Sequence, residues 1–168
     1  MQSKGYDRLV NVQYRLRKEG YKTHVYIVGK GEEYNNLENM IKKYELEKYW
    51  TFVGFKDNPY KYVKSADLYV CSSRKEGFST AVTEALIVGT PVVSTNCSGA
   101  TELLGYNNEY GIVTENNEES LYEGIKKMIS DKSVLEYYKK QAKTRGDKFS
   151  VEETVSKVEN MLREVAAE

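Results

Sequence analysis

Ser72–Thr95 reads SSRKEGFSTAVTEALIVGTPVVST, and the rest of the chain is arranged around it. A polar loop, Ser72–Lys75, leads into Glu76-Gly77-Phe78. A short helix is expected over about Ser79–Val88, followed by Gly89-Thr90-Pro91 and a β-branched strand, Val92–Thr95. The helix is apolar almost all round (Ala81, Val82, Ala85, Leu86, Ile87, Val88), the pattern of a buried helix. Its one ionisable residue is Glu84, and a second carboxylate, Glu76, stands just before its N-terminus. A buried carboxylate needs a partner. Nothing nearby in sequence supplies one, which points to a ligand from outside the chain.

Helix N-termini present unpaired N–H groups and roughly half a positive charge, and so hold phosphate. Gly77 lets the backbone approach a ligand closely. Glu84 lies about four residues inside the helix, about 6 Å along its axis. A ligand across this end could offer one hydroxylated ring to Glu76, phosphates to the amides of Phe78–Ala81, and a second ring to Glu84. That is the outline of a nucleotide sugar. The spacing alone is not distinctive, because Glu115 and Glu123 repeat it in an ordinary loop and helix. The bland alternative for Glu84 is a helix-favouring surface residue near a positive helix end.

Outward from this stretch, helices and strands alternate. Leu9, Val12 and Leu16 predict a helix over Gly5–Lys18, closed by Gly20. Thr23–Val28 reads as a strand ending at Gly29. Gly29-Lys30-Gly31 then opens a helix over Glu32–Tyr44. Tyr34 replaces the third glycine of a dinucleotide fingerprint, which argues against hydride transfer. The Gly29–Gly31 turn could instead admit the nucleotide end of a ligand or be a plain strand-to-helix turn. Trp50–Val53 is the next strand. Asn58-Pro59 is expected to cap and open a helix to Ala66, and Leu68–Cys71 forms a strand. After Thr95, a short helix starts near Ser98–Glu102 and a brief strand covers Gly111–Val113. Asn117 caps a helix to Ile129, and Asp131 or Ser133 starts another. Ser150 and Glu153 make a capping box for a final helix. This alternation predicts an α/β domain with a parallel sheet, in which ligands bind beyond the carboxyl ends of strands. Lys30, Phe55, Ser73, Glu76 and Gly99 all follow strands and could share one edge.

Composition narrows the function classes. A chain of 168 residues suits a single domain, residues 1–168, large enough to bury roughly 70% of its unfolded surface. The helices from about residue 117 are expected to pack on it. The 25 basic and 25 acidic residues cancel, so net charge implies neither nucleic acid nor an anionic membrane. The Lys42-Lys43, Lys126-Lys127 and Lys139-Lys140 pairs read as solvated faces. Most of the fifteen tyrosines read as half-buried amphipathic packing. No apolar run approaches membrane-spanning length and no signal peptide is visible, so a chain that is neither spanning nor secreted, in the cytoplasm, is expected. Cys71 and Cys97 suit reduced cytosolic thiols. His24 is the single histidine and opens a strand, which makes a histidine triad or a zinc site improbable.

The central residues resemble a known family. Glu76-Gly77-Phe78 through Glu84-Ala85, then Gly89-Thr90-Pro91-Val92-Val93, is similar to the donor-binding signature of family 4 retaining glycosyltransferases, which have the GT-B fold. Supporting matches are Lys4-Gly5, Val28-Gly29-Lys30-Gly31, Phe52-Val53-Gly54, Ala66-Asp67-Leu68 with Ser73, Ser98-Gly99 with Glu102, and Gly111-Ile112-Val113. Their order and spacing are more specific than any one block, and they cover only the C-terminal half of such an enzyme. The resemblance implies a Rossmann-like parallel sheet flanked by helices, with the opening Gly-Arg strand missing.

The resemblance also implies roles. Glu76 would contact hydroxyls of the transferred sugar and Glu84 the ribose diol. The backbone at Gly77, Phe78, Ser79, Thr80 and Ala81 would meet the sugar and diphosphate. Lys4 would neutralise the leaving diphosphate, while Phe55 and Gly29 would lie at the nucleotide end. Arg74 and Lys75 border the site and are read as facing solvent. No cofactor and no metal are expected, the substrate being a nucleotide sugar, UDP-linked, used to build a surface glycan or glycolipid.

Three departures from the pattern stand out. Ser79 replaces a common glycine and either narrows the sugar pocket or adds a contact. Ser72 replaces proline and is expected to loosen its loop. The arginine that partners the lysine is absent, and with the opening strand gone either the flanking strands close up or another chain lends a strand. Without an acceptor domain the chain alone is expected to bind nucleotide weakly and to transfer nothing. The alternatives are a non-catalytic nucleotide-sugar-binding or interaction module, and an epimerase or phosphorylase of the same architecture. The last two would want a histidine or a cofactor lysine at the site, and the lone His24 argues against the first of them.

Overall fold

The computed structural model describes residues 2–31 and 33–149, so the helix expected from Ser150 lies outside the described residues. Among the described residues seven α-helices and five strands follow in the order α1 (Tyr6–Lys18), β1 (Val25–Val28), α2 (Tyr34–Lys43), β2 (Trp50–Gly54), α3 (Tyr60–Ser65), β3 (Tyr69–Cys71), α4 (Thr80–Ile87), β4 (Val92–Thr95), α5 (Ala100–Leu104), β5 (Ile112–Thr114), α6 (Glu118–Ser130) and α7 (Lys132–Asp147). The side chains of Asn117 and Asp131 cap α6 and α7, accepting from Ser120 N and Ser133 N. These polar caps take up amide donors that the first helical turn leaves without partners.

All strand pairs are parallel, but they form two sheets, β1-β2 and β3-β4-β5. Among the described residues β1 pairs only with β2 and β3 only with β4, so the expected closing-up of the flanking strands does not occur. One core nevertheless spans both sheets. Val25 and Ile27 of β1 and Phe52 of β2 join Val70, Val93 and Ile112 beneath α1, α2 and α6.

Period-2 alternation in the three-stranded sheet explains its two covers. Val93 pairs in register with Ile112 and faces the α1/α6 layer. Val92 and Cys71 point the other way, to Val82, Ala85 and Leu86 of α4, Leu103 and Leu104 of α5, and Ala142 of α7. Helices on both faces make this a doubly wound α/β domain.

Several local expectations need correction. Strand β1 starts at Val25, because Thr23 is held by α1: its carbonyl accepts from Gln13 Nε2 at 3.0 Å and its hydroxyl donates to Gln13 Oε1 at 2.8 Å. Helix α3 begins at Tyr60 with Pro59 at the cap position, so Asn58 is not the cap. Lys126 is not merely solvated: its ammonium donates to Glu19 at 2.9 Å and to the buried Tyr122 hydroxyl at 2.8 Å. His24 is exposed at the strand end, within 2.8 Å of Thr51 Oγ1, as its position suggested.

Candidate functional site

The loops after β3, β4 and β5 meet the N-terminal segment at the carboxyl ends of the strands. The loop after β3 is held there by a dense set of bonds. Ser72 Oγ donates to the Lys4 carbonyl at 2.8 Å, and Arg74 N donates to the Ser3 carbonyl at 2.6 Å. Arg8, 4% exposed, donates Nε to the Ser72 carbonyl at 2.7 Å and Nη2 to Asn116 Oδ1 at 2.9 Å. Arg74 grips both Asp7 carboxylate oxygens at 2.6 Å. Ser72 therefore tightens the loop rather than loosening it, since a hydroxyl that proline lacks ties it to Lys4. Arg74 likewise pairs with Asp7 instead of simply facing water.

Close approach makes Gly5 necessary. Its φ is +63°, and a Cβ there would fall 2.0 Å from the Ser72 carbonyl oxygen. This glycine lets the Lys4 segment lie directly on the β3 loop.

That contact delivers Lys4 to Glu76. Lys4 Nζ donates to Glu76 Oε1 at 2.5 Å, and Ser73 Oγ donates to the same oxygen at 2.7 Å. The Glu76 side chain is 17% exposed and that of Lys4 57%. Partial burial pushes the Glu76 carboxyl up, but the Lys4 ammonium and the Ser73 hydroxyl outweigh it and hold it below the usual range. The bond to Glu76 raises Lys4 above the ordinary lysine value. Both groups are charged at neutral pH.

Helix α4 follows at once. Ser79 is its N-cap, with Oγ accepting from Val82 N at 3.4 Å. The hydroxyl that distinguishes Ser79 from glycine is thus used in the cap. The amides of Thr80 and Ala81 stand in the first turn, where a helix offers them no internal acceptor. Phe78 is exposed and lies against Gly99, whose added Cβ would come 2.9 Å from the Phe78 ring.

Glu84 departs from the buried, unpartnered carboxylate expected. It is half-buried, and Tyr60 of the neighbouring α3 donates its hydroxyl to Oε1 at 3.4 Å. Ile87 is 52% exposed, so α4 is buried on one face and not all round. Burial pushes the Tyr69 phenol up, and the carboxylates of Glu84 and Glu76 add to that shift.

A cavity opens beside this cluster, lined by Tyr6, Gly29, Lys30, Gly31 and Tyr34, and the adjoining hollow reaches Gly54. Gly29 is thus on a cavity wall. Phe55 follows Gly54 and is exposed, while Glu76 and Glu84 stand outside the cavity lining. Tyr6 joins the two regions, since it lines the cavity and its phenol also feels Lys4 and Glu76. Among the described residues no group of three or more His, Cys, Asp or Glu side chains could hold a metal ion. No helix among them is long and apolar enough to cross a membrane.

Of the residues singled out from the sequence, the structure brings Lys4 and Glu76 together just ahead of α4. The sequence reading passed over Arg8, Asn116, Tyr60 and the role of Ser73 toward Glu76. A charged residue in the apolar stripe of α1, Arg8 beside Leu9, was the one available signal for the first of these.

The sequence model of the family described as "Glycosyl transferases group 1" matches residues 2–145. The chain belongs to this glycosyltransferase family. A Campylobacter jejuni relative, an N-acetylgalactosamine-N,N'-diacetylbacillosaminyl-diphospho-undecaprenol 4-alpha-N-acetylgalactosaminyltransferase, is 38% identical over 125 residues, covering 73% of this chain and 34% of the relative. Among solved structures, Staphylococcus aureus TarM in a complex that includes UDP superimposes with a TM-score of 0.83 at 24% identity, covering 95% of this chain and 33% of TarM. Anabaena HepE in complex with UDP gives 0.84 at 22% identity, covering 98% of this chain and 46% of HepE. At those identities the structures establish the fold: the C-terminal, Rossmann-like domain of the GT-B glycosyltransferases. This glycosyltransferase domain spans about a third of the Campylobacter relative's length.

Proposed function

We propose that the chain is the donor-binding half of a retaining, family 4-type glycosyltransferase that uses a UDP-linked sugar. The observation that carries this reading is the meeting of Lys4, Ser73 and Glu76 at the entrance to α4, on the strand carboxyl edge where α/β sheets take ligands. The UDP held by TarM and HepE supports the choice of nucleotide, and the Campylobacter relative's name supports a hexosamine-type donor and a lipid-diphosphate-linked acceptor.

In this reading Glu76 accepts hydroxyls of the transferred sugar. The first-turn amides of Thr80 and Ala81, with Gly77 and Phe78 before them, face the diphosphate. Glu84 holds the ribose diol, and the Gly29–Gly31 cavity with Phe55 receives the base. As the glycosidic bond to the diphosphate breaks, negative charge grows on the phosphate oxygens. Amides and a lysine placed there stabilise the transition state more than the ground state. The acceptor-binding half corresponds to the part of the Campylobacter relative's length that this chain does not span. Any membrane contact belongs to that half, on the cytoplasmic face.

The test is calorimetry with UDP on the chain and its Glu84→Ala variant. A charge-assisted pair to a diol contributes roughly 1.5–3 kcal/mol per bond, so binding is expected to weaken about tenfold or more. Unchanged affinity removes the ribose role. Sugar transfer by the chain alone would overturn its assignment as half of a site.

A further inference from the structure

Glu76 uses its two carboxylate oxygens differently. Oε1 receives both Lys4 Nζ, at 2.5 Å, and Ser73 Oγ, at 2.7 Å. Among the described residues Oε2 accepts no hydrogen bond. Ser73 is 2% exposed, and its own carbonyl is anchored to the end of β4 by Thr95 Oγ1 at 2.6 Å and Cys97 Sγ at 3.1 Å. Its hydroxyl therefore starts from a fixed point of the sheet, while Lys4 reaches the same oxygen on a long, mostly exposed side chain.

We propose that Ser73 is a positioning residue, which holds Glu76 by Oε1 so that Oε2 is the oxygen offered to the hydroxyls of the donor's sugar. The inference rests on the donor-binding reading of Glu76 and adds a residue to it. A lysine that also serves a diphosphate must divide itself between two anions when the donor arrives. Ser73 has no such competing partner and keeps the carboxylate in place. A hydroxyl donor suits this task because it holds one oxygen by a hydrogen bond and, unlike a second cation, adds no positive charge beside the oxygen that accepts hydrogen bonds from the sugar hydroxyls.

The experiment measures affinities for UDP and for UDP-N-acetylglucosamine and UDP-glucose, by calorimetry on the chain, Ser73→Ala and Ser73→Thr. The quantity read is the ratio of UDP-sugar to UDP affinity. In Ser73→Ala this ratio is expected to fall by about threefold to tenfold, with UDP affinity itself moving less than about twofold, and Ser73→Thr is expected to restore it. An unchanged ratio in Ser73→Ala overturns the proposal. A carboxyl-carbon NMR titration of Glu76 supplies an independent readout, expected to show a higher midpoint in Ser73→Ala. If the unaltered chain binds neither UDP nor a UDP-sugar, the donor reading itself fails, and an unchanged titration then also removes Ser73's hold on Glu76. Should Ser73→Ala not fold, Ser73→Cys, with its weaker donor, takes its place in both measurements.

Discussion

Lys4 and Glu76 are 72 positions apart in sequence, yet the ammonium and carboxylate meet at 2.5 Å. The pair forms because Gly5 allows the N-terminal segment to lie on the β3 loop, within reach of the lysine side chain. Its strength lies in geometry and not in burial, since the Lys4 side chain is more than half exposed and water screens the attraction.

Lys4→Met should therefore separate binding from stability. An exposed ion pair contributes about 0.2–1 kcal/mol, so the urea midpoint should barely move. UDP affinity, which in the proposed site draws on the same ammonium, should fall about tenfold. Calorimetry beside urea denaturation of the same variant checks both, and a large loss of stability with intact UDP binding would contradict the assignment.

Gly5→Ala, unlike Lys4→Met, should cost stability. A methyl group 2.0 Å from the Ser72 carbonyl, at φ +63°, forces the segment off the loop. Left-handed strain alone costs of order 1–3 kcal/mol, so a stability loss above about 2 kcal/mol is expected by urea denaturation. The Lys4–Glu76 pair should separate with it, which the Glu76 carboxyl titration would register as a rise toward its ordinary value.

Neighbouring residues on α4 give a contrast that the sequence alone obscured. Leu86 is fully buried and Ile87 is 52% exposed. Leu86→Ala should cost about 2–5 kcal/mol, and Ile87→Ala under about 1 kcal/mol. Thermal or urea unfolding of the two variants decides it, and equal losses would show that α4 is covered on both sides.

That contrast marks where the sequence was legible. The ends of α4 and the span of β4 followed from Ser79, Gly89 and Pro91, whose capping and turn chemistry is local. The site's core was legible because Glu76 sits beside its helix and because Lys4-Gly5 carries a recognisable pair. What stayed hidden depends on packing between distant elements. Glu84 read as buried until α3 placed Tyr60 against it. Thr23 read as strand until Gln13 took its backbone. Arg8 drew no reading of its own, although its guanidinium joins the β3 loop to Asn116. The break between the two sheets is of the same kind, since strand order is a property of the assembled sheet and not of any one segment.

Acid should loosen the loop through the carboxylates that hold it. The Arg74 guanidinium lowers Asp7 from its ordinary 3.8, and Lys4 with Ser73, against the burial that opposes them, lowers Glu76 from 4.5. A folded-state value below the unfolded one means the unfolded chain binds the proton more readily. The stabilisation is therefore complete above about pH 4.5 and disappears as pH falls through the lower folded-state values. Melting temperature should decline from about pH 4.5 downward more steeply in the unaltered chain than in Asp7→Asn with Glu76→Gln. The double variant lacks both titrating groups, so its curve should be flatter across that window. Parallel curves for the two proteins would place the acid sensitivity elsewhere and leave the loop's ion pairs without a part in it.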